Sequence, residues 1–268
     1  MKGLSGKVAI VTGGASSIGK AITIALSQAG VSVVIAARSV EAGTALQASL
    51  EPRVLFEKTD ITCDADLDRL LASTHQRFGR LDFIVNNACS YGDHGRLSTR
   101  QEWLDTLNVN LVSGAVLVEK AREMLAARGG AVVNISSISA YAAQTGRWTY
   151  PVSKAAIVHL TRSQAMDYAK LGIRVNALIA GWTVSEPIRA LSAGDSLRAD
   201  QVAADYHLLG RLGRAEEVAD GVLFLCSDHA SFSTGGELRV DGGYLAMGPE
   251  QAGAAIERLG GASSASLA

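Results

Sequence analysis

The chain has 268 residues, 48% of them hydrophobic and 19% charged, with a formal net charge of −1. That length buries a substantial core, and that composition excludes a disordered chain. There is no basic excess of the kind a nucleic-acid binder carries, and no apolar run approaches the ~18 residues of a membrane span.

Val8–Val11 is a continuous apolar run of strand length, as expected for a strand buried on both faces of a parallel sheet. It is too short for the ~7–15-residue core of a signal peptide. A glycine-rich turn follows, Thr12-Gly13-Gly14-Ala15-Ser16-Ser17-Ile18-Gly19. Ile18, Ala21, Ile22, Ala25, Leu26 and Ala29 then recur on one face of a helix that Gly30 ends. Val31–Ala36 is a second strand, which completes a βαβ unit. Further strands are expected at Val54–Phe56, Leu81–Val85, Ala131–Ile135, Ile173–Leu178 and Leu238–Val240. Helices are expected at Asp66–Phe78, about Arg100 to Ala127, about Tyr150 to Lys170, Leu197–Leu208 and Ala215–Cys226. This alternation predicts one α/β domain over residues 1–244, a doubly wound parallel seven-stranded sheet with helices on both faces. Residues 245–268 form a C-terminal extension whose small, polar end is expected to fray.

The three cysteines, Cys63, Cys89 and Cys226, are widely spaced and form no CxxC pair. Neither a disulfide framework nor a zinc site is supported, and a reducing, cytoplasmic setting fits best. The five histidines contain no HxxxH pair, so no metal is expected.

A glycine turn between a first strand and a first helix opens at the carboxyl edge of such a sheet. The free amides of the helix then face outward and suit a pyrophosphate. The sequence here is not the general GxGxxG fingerprint, and by itself it is also compatible with a tight turn and nothing more.

Later residues carry more weight. Asn86-Asn87-Ala88 follows the fourth strand, and Asn110 sits within Val109-Asn110-Leu111. Ser137 precedes Tyr150-Pro151-Val152-Ser153-Lys154. Arg174-Val175-Asn176-Ala177 leads to Gly181, and Val240-Asp241-Gly242-Gly243 closes the series. In order and spacing these resemble the TGxxxGxG, NNAG, helix asparagine, YxxxK, RVNxxxPG and closing-strand motifs of the short-chain dehydrogenase/reductase superfamily, from about residue 5 to 244. Three positions depart from the family pattern: Ser17 and Cys89 stand where it has glycine, and Ala180 where it has proline.

The resemblance implies a Rossmann-type fold and an oxidoreductase that interconverts a ketone and a secondary alcohol by hydride transfer with a nicotinamide cofactor. Alternatives on the same scaffold are a non-redox enzyme and a cofactor-sensing protein without turnover. It implies that Asn110, Ser137, Tyr150 and Lys154 are catalytic. A phenol with an ordinary pKa of about 10 needs a nearby positive charge to work at neutral pH, and i, i+4 spacing puts Lys154 on the helix face of Tyr150. Ser137, with Ser136 as its rival, would bind the substrate oxygen, and Asn110 would hold a water that relays protons to Lys154. The cofactor would be held by Gly13, Ser16, Ser17, Ile18, Gly19, Arg38, Asp60, Ile61, Asn87, Tyr150, Lys154, Gly181 and Thr183. Trp148 and Trp182 either flank the substrate pocket or pack in the core.

NADP(H) is expected in preference to NAD(H). At the end of the second strand, where NAD-binding relatives place an acid, this chain has Ala37 followed by Arg38. The alternative is that Ser39 and the helix after it turn Arg38 out to solvent. The partners expected are a small carbonyl or alcohol substrate and further copies of the chain in a homotetramer, with no nucleic acid and no membrane. Leu245–Arg258, with an apolar edge, would pack on a neighbouring subunit or fold back on its own.

Overall fold

A computed structural model describes residues 1–248. Seven strands form one parallel sheet in the order β3-β2-β1-β4-β5-β6-β7. They are β1 (Val8–Thr12), β2 (Ser32–Ala37), β3 (Val54–Lys58), β4 (Phe83–Asn86), β5 (Ala131–Ser137), β6 (Arg174–Ala180) and β7 (Glu237–Val240). The order reverses beside β1, so β1 and β4 frame the crevice where ligands bind in such sheets. The extension expected from residue 245 lies, past residue 248, outside the described residues.

Strand residues alternate between two cores. Ala9, Val11, Val33, Ile35 and Val133 face one side, packed by Ile22 and Leu26 of α1 (Ser17–Gln28). α2 (Val40–Leu50) adds Leu46 on that face. Val8, Ile10, Val34, Ile84 and Val132 face the other side, packed by Leu67 and Leu70 of α3 (Asp64–Phe78). Two-sided burial is why these strands read as unbroken apolar runs.

The single helix expected over 100–127 is broken. α4 (Arg100–Leu107) passes into a π-helical turn, Asn108–Val112, and then into α5 (Ser113–Lys120) and α6 (Arg122–Ala126). The Ser113 hydroxyl donates back to the Asn108 carbonyl at 2.7 Å, five residues earlier. The extra residue in the turn rotates Asn110 inward, where it is 6% exposed.

α7 (Thr149–Tyr168) buries a mostly polar face against the sheet. Asn134 of β5 donates to Thr161 (3.0 Å) and Gln164 (3.3 Å) of that helix, and accepts from Asn86 of β4 at 2.8 Å. These directed bonds favour one register of helix on sheet. Past β6 come α8 (Glu186–Leu191), α9 (Ser196–Ala204) and α10 (Ala215–Cys226), the last packing on α1 through Val218, Val222 and Leu225. No helix among the described residues is long and apolar enough to cross a membrane.

Candidate active site

A cleft of about 1250 Å³ runs along the carboxyl ends of the strands. That is more than the ~300–1,000 Å³ of an ordinary small-ligand pocket, leaving room for a dinucleotide and a second molecule. Gly13, Ser16, Ser17, Ile18, Gly19, Arg38, Asp60, Ile61, Asn87, Ser137, Tyr150, Lys154, Gly181 and Thr183 all line it. Asn110 does not; it sits behind the wall. Trp182 lines the cleft, whereas Trp148 is half exposed and outside it.

At one end, the glycine turn is held by close approach. Gly13 has a positive φ of 64° and its N–H donates to the Ala36 carbonyl at 2.8 Å. A Cβ on Gly19 would lie 2.1 Å from the Gly13 carbonyl oxygen, so only glycine fits there. The Asn87 amide braces the turn by donating to the Thr12 carbonyl at 2.9 Å. Thr12 Oγ1 accepts from the N–H groups of Asn87 and Ala88. Ser17 adopts φ 46°, a left-handed conformation that costs a non-glycine residue roughly 1–2 kcal/mol.

The N-cap Ser16 makes no side-chain cap, and no acid lies in the first turn of α1. The free amides there, facing the cleft, fit a pyrophosphate. Arg38 is exposed at the same end. Asp60 accepts from the N–H (3.0 Å) and hydroxyl (2.7 Å) of Thr62, and these bonds, with help from Arg38, hold its carboxyl below the ordinary value. Ser39 caps α2 by accepting from Ala42 N–H at 3.3 Å.

At the other end, Ser137, Tyr150 and Lys154 converge. Both serines line the cleft, but the rival hydroxyl, Ser136, donates to the Lys154 carbonyl at 2.9 Å and so braces the helix. Lys154 is 3% exposed; its Nζ donates to the Ile135 carbonyl at 2.9 Å and lies 5.5 Å from the Tyr150 ring centre. Burial pushes its pKa down, with Cys89 acting the other way. Burial also lifts the Tyr150 phenol above its ordinary value, and Cys89 adds to that. The groups that draw it back are Ser137 and Arg147. The i, i+4 spacing aligns the two residues, but the ammonium is directed to a strand carbonyl.

Asn110 accepts from Ser90 N–H at 2.6 Å and donates to the Ser90 carbonyl (3.1 Å) and the Ser153 hydroxyl (3.0 Å). Beside it is a cavity of about 10 Å³, also lined by Asn86, Ser113 and Lys154. Asn86 Oδ1 is buried there with no hydrogen-bond partner. The space and the unpaired acceptor match one water.

With this geometry established, comparison with known proteins decides the family. A family model described as enoyl-(acyl carrier protein) reductase matches residues 13–245. A cis-4-hydroxycyclohexanecarboxylate dehydrogenase from Sinomonas cyclohexanicum is 37% identical over 246 residues, covering 90% of this chain and 97% of that one. The chain belongs to the short-chain dehydrogenase/reductase superfamily. An L-fucose dehydrogenase from Oryctolagus cuniculus is 38% identical, with 92% and 88% covered. A 3-oxoacyl-[acyl-carrier-protein] reductase, FabG, from Thermotoga maritima is 33% identical, with 90% and 99% covered. This short-chain dehydrogenase/reductase is thus an oxidoreductase of the class that acts on CH–OH groups with a nicotinamide cofactor.

Sequence reasoning missed three residues at the reacting end. Tyr91 stacks on Tyr150, with ring centres 5.2 Å apart and planes 23° from parallel. Arg147 lines the same wall. Asp93 accepts from Trp148 N–H (2.9 and 2.8 Å), Tyr150 N–H (3.0 Å) and Gly95 N–H (2.9 Å). It thereby caps α7 from 55 residues away, replacing the cap that Trp148 cannot provide. Burial raises its carboxyl, and the backbone donors of Trp148, Tyr150, Gly95 and Thr149 outweigh that, so its pKa is lowered.

Replacing Asp93 with alanine should cost about 1–2 kcal/mol, seen as a drop in Tm of several degrees, together with a loss of kcat as Tyr150 loses its fixed position. A carboxyl with a lowered folded pKa stabilises above its ordinary value of 3.8, and that contribution vanishes as pH falls through the lowered one. Thermal melts across pH should show the gap between wild type and D93A at full size near neutrality and closing in acid.

Proposed function

We propose that this enzyme interconverts a ketone and a secondary alcohol, prefers NADP(H), and uses Tyr150 as its acid and base. The observation that carries this reading is the convergence of Tyr150, Ser137 and Lys154 at one end of a cleft whose other end is the uncapped N-terminus of α1. When bound, the nicotinamide supplies hydride to the carbonyl carbon, or removes it from the alcohol.

The chain's own residues manage position and the proton. Ser137 donates a hydrogen bond to the substrate oxygen and holds it beside the Tyr150 hydroxyl. Tyr150 gives its proton to that oxygen during reduction and takes it back during oxidation. Lys154 carries the buried positive charge behind Tyr150 and meets the nicotinamide ribose. A water in the cavity beside Asn110 passes protons to Lys154. Thr183 and Gly181 flank the nicotinamide, and Thr183 is fixed for this by donating to the Gly181 carbonyl at 3.1 Å. The Tyr150→Phe enzyme should keep cofactor affinity and lose at least ~10²-fold in turnover; near-normal turnover would exclude Tyr150 as the acid.

The NADP(H) preference rests on Ala37 and Arg38. No carboxylate repels a 2′-phosphate at Ala37, and the Arg38 guanidinium stands at the adenosine end of the cleft. A charge-assisted arginine–phosphate contact is worth ~1.5–3 kcal/mol, or roughly 10- to 100-fold in affinity. Asp60 and Ile61 line the cleft where the adenine would lie. The double variant Ala37→Asp, Arg38→Leu should reverse the ratio of kcat/KM for the two cofactors. Equal efficiencies in the unmodified enzyme would overturn this assignment.

The reading includes a cytoplasmic homotetramer. In its support, Leu104 of α4, Val112 after it, and Val152 and Met166 of α7 are large apolar residues left exposed, Met166 at 83%. Light scattering at micromolar concentration should give four times the chain mass; a monomer would exclude the assembly.

A further inference from the structure

We propose that Arg147 is the anchor for a carboxylate on the substrate, so that the compound oxidised or reduced is a hydroxy acid or oxo acid. The proposal rests on the reading of Tyr150 as the reacting group and adds the chemical class of what Tyr150 acts on.

Arg147 is half-buried in the wall of the cleft, three residues before Tyr150. Among the described residues no carboxylate lies within ion-pair distance of it. Arg80, Arg211 and Arg214 are ion-paired, to Asp82 at 2.6 Å, Glu217 at 2.6 Å and Asp200 at 2.7 Å. Of the cleft's other arginines, Arg38 and Arg198 also make no ion pair among the described residues, but both are exposed, whereas Arg147 is half-buried. A guanidinium in a cleft wall with no protein counter-charge is free to pair with an anionic ligand. It lines the cleft wall together with Tyr91, Tyr150 and Ser137, at the reacting end.

A second donor stands on the same turn. The Gln144 carbonyl accepts from Arg147 N–H at 3.2 Å, tying the two residues together. Gln144 Oε1 accepts from the Ser139 hydroxyl at 3.1 Å, which fixes the amide and leaves its Nε2 donors without a protein partner among the described residues. One guanidinium and one amide nitrogen, the free groups both donors, match the two oxygens and single charge of a carboxylate better than the dianion of a phosphate.

The rest of the cleft agrees in sign. Its acidic lining residues are Asp60 and Glu186. Asp60 follows β3 and is engaged by Thr62, and Glu186 is exposed at the start of α8. Neither opposes an anion beside Tyr150. Trp182, Ile188, Val202 and Tyr206 supply an apolar wall for the hydrocarbon frame that joins the carboxylate to the reacting carbon.

The test compares 4-oxocyclohexanecarboxylate with its methyl ester, which keeps the frame and removes the charge, in the full-length enzyme with reduced cofactor. The wild-type enzyme should favour the acid by roughly 10- to 100-fold in kcat/KM, the range of one charge-assisted contact. Arg147→Met should bring that ratio near one, chiefly through KM for the acid, and Arg147→Lys should restore part of it. A wild-type ratio near one, or a ratio unchanged in Arg147→Met, would overturn the proposal.

A binding arm separates this proposal from the reading of the reaction. Calorimetric titration with cyclohexanecarboxylate should show binding to the wild-type enzyme that weakens at least ~10-fold in Arg147→Met. If neither ketone turns over but this result holds, the carboxylate site stands and the assigned reaction fails. If the ester turns over and cyclohexanecarboxylate does not bind, the reaction stands and the carboxylate site fails.

Discussion

One carboxylate, that of Asp93, holds together the two chain segments that frame the reacting end of the cleft. α7 begins without a capping side chain of its own, because its N-cap position is Trp148. Its first amides therefore need an acceptor from elsewhere, and a carboxylate at a helix N-terminus is favoured by both hydrogen bonding and the helix dipole. Asp93 meets that need and also takes the N–H of Gly95. Around it, the hydroxyls of Thr106 and Thr149 both donate to the Gly92 carbonyl, at 3.0 and 2.9 Å. Tyr91, Arg147 and Tyr150 thus share one rigid frame although they come from separate loops and a helix.

The two ends of the cleft are built by different physics. At the glycine turn, backbone meets backbone, and the decisive property is the missing side chain of Gly19. At the reacting end, side chains cross-link elements through directed hydrogen bonds. Asn110 is bonded to Ser90 and Ser153, Ser136 to the backbone of Lys154, and Asn134 to Thr161 and Gln164. Close packing shapes the backbone at the turn, while a bonded network positions the phenol, the hydroxyl and the ammonium, as the proposed acid–base chemistry would require.

Burial sets the electrostatic character of this end. Both Tyr150 and Lys154 are pushed toward their neutral forms, the phenol upward and the ammonium downward. Desolvation is the leading cause for both groups, and at Tyr150 the Ser137 hydroxyl and then Arg147 work against it.

Much of this protein was legible in the sequence because the relevant signals are local. Two-sided apolar runs named the strands, helical periodicity named α1, and the glycine turn located the cleft. The ordered motifs brought Ser137, Tyr150 and Lys154 to one place. The tertiary structure decided what local pattern cannot encode. Apolar periodicity is blind to the Ser113–Asn108 bond, so the expected long helix is interrupted and Asn110 turns inward. Helix spacing aligns Lys154 with Tyr150, yet the lysine ammonium is claimed by the Ile135 carbonyl, 19 residues away. Asp93 caps a helix 55 residues further on, a partnership that no window of sequence contains. Composition and spacing act along the chain, whereas a buried polar group takes whichever partner the fold brings within about 3 Å, and only the packed structure determines which one that is.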